Sequence, residues 1–109
     1  MLIDSRHALI AACMMHVEGF YSTESRAFHN CNPGNIEEYD GCPFPSEGPF
    51  IKYPTILVGF EGLLNDIQIN VGKTISSFIA KYAPPNENNT SLYLQIVCTL
   101  SGEKPDNIL

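Results

Sequence analysis

The chain has few basic residues and no tryptophan. Its 109 residues contain six lysines and arginines against twelve aspartates and glutamates, so the formal net charge is −6. A nucleic-acid groove needs clustered positive charge, and this composition does not supply it. The sequence also lacks an apolar run of the roughly 18 residues that a membrane-spanning helix needs. We therefore expect no nucleic-acid partner and no membrane span.

A metal-binding pattern is missing as well. The four cysteines form no CxxC pair, and the three histidines show no HExxH-like spacing. We therefore predict no metal site and no cofactor. Cys31 and Cys42 flank a loop-rich segment and are candidates for a disulfide in an oxidising compartment. Cys13 and Cys98 lie in apolar helical patterns, which are typical of buried thiols.

What is present suffices for one folded domain over residues 1–109, because 44% of the residues are hydrophobic. The N-terminal stretch superficially resembles a signal peptide. However, Asp4 stands where positive charge is expected, and no small-residue cleavage site follows the apolar run. We interpret this stretch as a helix of the mature protein. Action outside the cytoplasm would then need a non-classical export route or association with a virion.

The first predicted helix ends close to a carboxylate. Asp4 or Ser5 can cap it, residues 8–17 form its body, and Gly19 suits a left-handed end. Because the body is apolar nearly all round, this helix should be central in the fold.

Three more helices are predicted in the second half of the chain, each with a capping residue before it. They cover about 55–70, 74–83 and 91–100, with caps at Thr55, Thr74 and Asn89 or Thr90, and the last is stopped by Gly102. The first of these three carries its apolar face on Ile56, Phe60, Leu63, Leu64 and Ile67.

Between the first two helices the sequence predicts loop and a small hairpin. Residues 21–34 lack helical periodicity, 36–39 and 50–53 are predicted as two short paired strands, and 40–49 as a loop rich in proline. The tail from Glu103 is polar and is expected to be loose. The predicted class is α+β, mainly α, with about four helices and a small β-hairpin after the first helix.

Glu18 is the candidate catalytic residue. A carboxylate at a helix C-terminus faces the negative end of the helix dipole, and Phe20, Tyr21 and the preceding methionines would desolvate it. Both effects raise the pKa of Glu18 towards the range of a general acid, such as the one that protonates the leaving oxygen in glycoside cleavage. By position alone, a glutamate at a helix end is more often a solvated surface residue.

A set of motifs in a fixed order resembles the lysozyme-like superfamily, and is most similar to small muramidases and lytic transglycosylases of bacteriophages and bacterial secretion effectors. The residues that carry the resemblance span about 15–100 of the chain. They are Glu18-Gly19-Phe20-Tyr21, Ser25-Arg26, Asn30, Asn32-Pro33-Gly34-Asn35-Ile36, the FIKYPT segment with Gly59-Phe60, and Tyr82 to Thr90 with Tyr93.

This resemblance implies a lysozyme-like fold and cleavage of peptidoglycan at the β-1,4 bond between MurNAc and GlcNAc. Glu18 matches the family's catalytic acid, and Tyr93 matches a tyrosine whose hydroxyl approaches that acid. The remaining implied site residues line the cleft or fix the loop beside it, namely Asn32, Asn35, Ile36, Asn88 and Thr90. Without tryptophan, sugar stacking would fall to Tyr21, Phe28, Tyr39 or Tyr53.

A second carboxylate would decide the reaction. Hydrolysis usually pairs the acid with another carboxylate, and Glu37, Glu38 and Asp40 follow on the predicted strand, where at most one of Glu37 and Glu38 can face the cleft. Lytic transglycosylases need no such partner, because the sugar's own 6-hydroxyl closes an anhydro ring. The sequence leaves both outcomes open, with Glu37 as the candidate second group.

The resemblance also implies action in the periplasm or cell wall, and a small lysin of this kind invites a cognate immunity or inhibitor protein that plugs its cleft. Two alternatives remain open. One is a non-catalytic lysozyme-like module that binds peptidoglycan or stabilises a virion. The other is a cysteine peptidase or amidase that uses Cys31 with His29 or His16.

Overall fold

Five helices and one two-stranded antiparallel sheet form the fold of residues 4–109, the part of the chain that the computed structural model describes. In chain order they are α1 (Ser5–Val17), α2 (Arg26–His29), β1 (Ser46–Glu47), β2 (Phe50–Ile51), α3 (Ile56–Gln68), α4 (Ile75–Tyr82) and α5 (Thr90–Ser101). The predicted α+β class, mainly α, is confirmed. The hairpin follows α2 rather than the first helix directly.

Helix α1 lies at the centre of the molecule, as its apolar sequence predicts. The Asp4 side chain caps it by accepting bonds from the Arg6 and His7 amides at 2.8 and 3.2 Å. Ile10 and Met14 are fully buried, and the helix packs against α3 and α5. It ends at Glu18, and Gly19 follows with a φ of +81°.

The three later helices begin at the predicted caps, Thr55, Thr74 and Asn89, and each capping side chain accepts a bond from a backbone amide in the first turn. The prediction that Ile56 belongs to the buried face of α3 is wrong, since 46% of its surface is exposed. The buried face runs instead through Gly59, Leu63 and Ile67, at four-residue spacing, and Ile56 lies beside it in the first turn.

Two predictions for the segment between α1 and α3 need correction. The predicted loop 21–34 contains α2, which is too short to show periodicity and is defined by its Ser25 cap. The strand that pairs with β2 is 46–47, inside the predicted proline-rich loop, because a turn at Gly48 (φ +60°) and Pro49 brings Ser46 opposite Ile51. Residues 36–39 lie along β2 with one bridge, Glu37 to Phe50, and do not form a strand.

The C-terminal tail is ordered by contacts that are distant in sequence, so the prediction of a loose tail is wrong. Leu109 is buried, and its amide donates to the Lys73 carbonyl at 2.9 Å. Arg6 on α1 donates to Glu103 at 2.8 Å and to the Ile108 carbonyl at 2.7 Å. These contacts attach the tail to both α1 and the start of α4.

The considered disulfide between Cys31 and Cys42 is not formed, and all four cysteines are free. The Cys42 thiol instead contacts the Phe44 carbonyl at 3.7 Å, while Cys31 lies in a left-handed turn (φ +50°) against α3. Cys13 is buried as predicted, and Cys98 is half-buried. Within residues 4–109, no helix combines the length and apolarity needed to cross a bilayer.

Candidate active site

A cleft of about 610 Å³ opens beside the C-terminal end of α1. Its lining includes Glu18, Arg26 at the start of α2, residues 35–37 and Phe50 of β2. It also includes residues of α3, of α4 and of the loop that follows α4. Glu18 therefore lies in a groove to which both the hairpin region and the helical region contribute.

The Glu18 carboxyl is half-buried at the edge of this cleft. Burial raises its pKa, because removing a carboxylate from water disfavours the charged form. Hydrogen bonds from Asn35 and Tyr93, and then the positive charge of Arg26, act in the opposite direction without overcoming the effect of burial. The net result is a Glu18 pKa above the ordinary value of a glutamate, as the sequence predicts.

Each Glu18 carboxyl oxygen has its own hydrogen-bond donor. The Tyr93 hydroxyl donates to Oε2 at 2.9 Å, and Asn35 Nδ2 donates to Oε1 at 3.0 Å and to the Glu18 backbone carbonyl at 3.1 Å. Tyr93 is only 5% exposed, and burial raises its pKa, so it stays a protonated donor. The structure thus brings Tyr93 and Glu18 into the contact that the resemblance implies.

Asn35 can contact Glu18 because hydrogen bonds of the Asn32 side chain fix the loop 31–36. Asn35 itself has a φ of +47°, a left-handed conformation that asparagine tolerates better than most residues. Fully buried Asn32 donates to the Ile36 and Ile51 carbonyls and accepts from the Ile36 amide, all at 2.9 Å. Asn32 therefore stabilises the loop. It does not line the cleft, so the substrate-binding role predicted for it is wrong.

Two glycines allow the helices to approach this loop. A Cβ on Gly59 of α3 would stand 1.9 Å from the Cys31 carbonyl oxygen, so only glycine fits there. A Cβ on Gly34 would stand 2.5 Å from the Tyr82 hydroxyl, which donates to the Gly34 carbonyl. The loop that carries Asn35 is therefore pressed against α3 and tied to α4.

Of the other predicted site residues, Ile36, Glu37 and Asn88 line the cleft. Asn88 Nδ2 also donates to the Pro84 carbonyl at 3.3 Å. Thr90 does not line the cleft, and its hydroxyl donates to the Ala83 carbonyl, which fixes the loop between α4 and α5.

The predicted stacking tyrosines lie outside the cleft lining. Tyr21 and Tyr39 are 59% and 57% exposed, and the Tyr21 hydroxyl donates to the Ala12 carbonyl on α1. Tyr53 is buried against Phe44, and burial raises its pKa to about 12. Aromatic rings in the cleft come instead from Phe50, Phe78 and Tyr82. Phe50 and Tyr82 belong to the motifs that carry the resemblance, but none of the three was predicted to stack on a sugar.

The carboxylates of Glu37 and Glu38 differ in their position relative to the cleft. Glu37 is exposed and lines the cleft, whereas Glu38 is outside its lining and accepts a bond from the Ser46 hydroxyl at 2.8 Å. Asp40 does not line the cleft either, and neither do Cys31, His16 and His29, the residues of the peptidase alternative.

Sequence reasoning missed a second half-buried carboxyl in the cleft, that of Asp66 on α3. Burial raises its pKa, and the positive charge of Lys81 lowers it by less. A signal for it existed, because Asp66 falls on the face of α3 that carries Gly59 and Leu63. A charged residue on a buried helix face is unusual enough to mark a candidate site.

Arg26 and Phe50 each belong to a motif that carries the resemblance, but sequence reasoning gave neither residue a role in the site. The guanidinium carbon of Arg26 lies 3.8 Å from the centroid of the Phe50 ring, a cation–π contact. Both residues line the same cleft as Glu18.

The arrangement can hold a proton on Glu18 in an open groove and stabilise the carboxylate that remains after the proton has left. No protein-family model, curated protein or solved structure matches the chain. The function is therefore inferred from this geometry together with the sequence motifs.

Proposed function

We propose that this protein is a lysozyme-like peptidoglycan lysin that cleaves the β-1,4 bond between MurNAc and GlcNAc, with Glu18 as the general acid. The observation that carries the proposal is the Glu18 carboxyl itself. It lies in a cleft, its pKa is raised by burial, and a separate donor contacts each of its oxygens. These three properties are those required of a proton donor that works near neutral pH.

The proposed first step is proton transfer from Glu18 to the glycosidic oxygen as the bond from that oxygen to the MurNAc anomeric carbon breaks. The hydrogen bonds from Tyr93 and Asn35 favour the ionised form of Glu18. They would therefore stabilise the carboxylate produced by this transfer. Burial thus favours protonated Glu18 before the proton transfer. The hydrogen bonds stabilise the negative charge on Glu18 after it.

Two completions of the reaction fit this acid. In transglycosylation, the 6-hydroxyl of MurNAc attacks its own anomeric carbon and returns a proton to Glu18, which yields an anhydro end. In hydrolysis, a water attacks and a second carboxylate assists it. Glu37 and Asp66 both line the cleft and are the candidates for that second role.

The cleft lining suits a glycan. It combines the polar side chains of Asn35, Asn70 and Asn88 with the rings of Phe50 and Tyr82, and sugars are bound by this mixture of hydrogen bonds and apolar contacts. We further propose that the protein acts in the periplasm or cell wall, and that a cognate inhibitor binds over the cleft.

The test is digestion of purified peptidoglycan by wild type, Glu18→Gln and the control Glu87→Gln, followed by product masses. Glu87 is an exposed carboxylate of the same cleft, so its variant matches the charge change. Muropeptides from wild type and Glu87→Gln, and none from Glu18→Gln, support the proposal, and anhydro or reducing ends identify the completion. No muropeptides from wild type would overturn it in favour of a non-catalytic binding module.

A further inference from the structure

The cleft contains a positive charge that no carboxylate of the described residues 4–109 neutralises by direct contact. Only six lysines and arginines occur in the chain, and two of them, Arg26 and Lys81, line this one cleft. The ion pairs within 4.0 Å among residues 4–109 are Arg6–Glu103 and Lys52–Glu47. The guanidinium of Arg26 is thus unpaired in a protein with twelve acidic residues.

Arg26 is exposed, and its guanidinium contacts an aromatic ring. It lies over the Phe50 ring at 3.8 Å, and such stacking orients the guanidinium while its N–H groups remain free to donate. Its backbone is fixed as the first residue of α2, behind the Ser25 cap. Phe50 is fixed by β2 and by its bridge to Glu37. An oriented and unpaired guanidinium is preorganised to bind an anion.

Arg26 is also close enough to the acid to act on it. Glu18 is faced by Asn35, by Tyr93 from α5, by Tyr82 from α4 and by Arg26 from α2. Of these four, only Arg26 carries a charge, and it lowers the pKa of Glu18. A ligand anion on Arg26 would therefore lie in the same cleft as Glu18 and within its electrostatic reach.

We propose that Arg26 and Phe50 form a carboxylate-binding subsite that selects acidic glycan strands over neutral ones. A guanidinium can donate two parallel N–H···O bonds to the two oxygens of a carboxylate. Neutral sugars have no carboxylate to accept them. The inference rests on the proposed function, because it concerns the substrate of that same cleft. In peptidoglycan the carboxylate has two sources, the lactyl group of MurNAc where the peptide has been removed and the stem peptide where it is present.

Occupation of the subsite has a consequence for the acid. A bound carboxylate neutralises Arg26 and so removes an influence that lowers the pKa of Glu18. Glu18 should then hold its proton to a higher pH in the complex than in the free enzyme. For an acidic substrate, the alkaline limb of kcat should therefore lie above that of kcat/KM, since these report the complex and the free enzyme respectively.

Binding is best measured in the Glu18→Gln background, where strands are not cleaved. The ligands are amidase-treated glycan strands with free lactyl carboxylates, strands that keep their stem peptides, and neutral GlcNAc oligomers of the same length. Addition of Arg26→Gln should weaken binding of at least one acidic ligand about tenfold, the loss expected for a charge-assisted hydrogen-bonded pair. Binding of the neutral oligomers should stay the same, and Arg26→Lys should restore part of the loss.

Lys81→Gln is the matched control, because it removes a positive charge from the same cleft without touching Phe50. It should leave the preference for acidic strands in place. Equal weakening by Arg26→Gln and Lys81→Gln would mean general electrostatics and would overturn the subsite, as would equal weakening for acidic and neutral ligands. The ligand affected, with or without stem peptide, identifies the source of the carboxylate.

The outcomes separate this inference from the proposed function. Wild type that cleaves peptidoglycan while Arg26→Gln binds acidic strands normally contradicts the subsite alone. Wild type that releases no muropeptides, but loses its binding of acidic strands with Arg26→Gln, contradicts the enzyme and keeps the subsite.

Discussion

Two half-buried carboxyls share the cleft, and their surroundings differ. Burial raises the pKa of both Glu18 and Asp66. Glu18 has a donor on each oxygen, whereas among the described residues the only influence that offsets the burial of Asp66 is the charge of Lys81. Burial alone raises the pKa of a carboxyl but does not fix its position. The donors to Glu18 in addition fix its position and favour its ionised form, so Glu18 is the better candidate for the proposed general acid.

The difference originates in where each residue stands in its helix. Glu18 is the C-cap of α1, where the loop 31–36 and α5 converge on it. Asp66 lies within α3 and lines the cleft, where burial raises its pKa and the charge of Lys81 lowers it by less. A helix end next to a braced loop can therefore build a positioned acid that a helix interior does not.

The largest expected effect separates the two carboxyls directly. Glu18→Gln should lower the rate of muropeptide release on the order of 10²- to 10⁴-fold, the usual contribution of a general acid. Asp66→Asn should cost far less if the reaction is transglycosylation. Initial rates on purified peptidoglycan measure both. An equal loss from Asp66→Asn would break the comparison and make the two carboxyls a catalytic pair.

The next effect concerns the loop that positions the acid. Asn35→Gly keeps the left-handed backbone and removes both bonds to Glu18, so activity should fall about 10- to 100-fold. Asn35→Ala should in addition lose about 1 kcal/mol of stability, because alanine is strained at a φ of +47°. Rates and chemical unfolding of the two variants separate positioning from strain. Equal stability of both variants would contradict the strain argument.

Some parts of the fold and of the candidate site follow from the sequence, and others do not. The helix caps and the position of Glu18 follow from local signals, and Tyr93 follows from the resemblance. The register of β1 and β2, and the burial of Leu109, depend on contacts between distant segments and could not be read locally. Arg26 lies on a helix of four residues, too short for a periodic pattern.

The smallest effect tests the second donor. Tyr93→Phe removes a bond that favours ionised Glu18, so the pKa of Glu18 should rise. In the proposed mechanism activity needs protonated Glu18, so activity should be present below the pKa of Glu18 and lost above it. The alkaline limb of the pH profile of Tyr93→Phe should therefore move to higher pH. The rate itself should fall about tenfold, the cost of one hydrogen bond to a charged group. Tyr39→Phe, at an exposed tyrosine outside the cleft, is the control and should change neither.

The central claim is that burial keeps Glu18 a proton donor while Asn35 and Tyr93 hold it. The most direct measurement is a carbon-13 NMR titration of the Glu18 carboxyl in wild type and in Tyr93→Phe. The account predicts a pKa above the ordinary range of glutamate in wild type, and a further rise in the variant. A wild-type pKa at or below that range, or a fall in Tyr93→Phe, would contradict it.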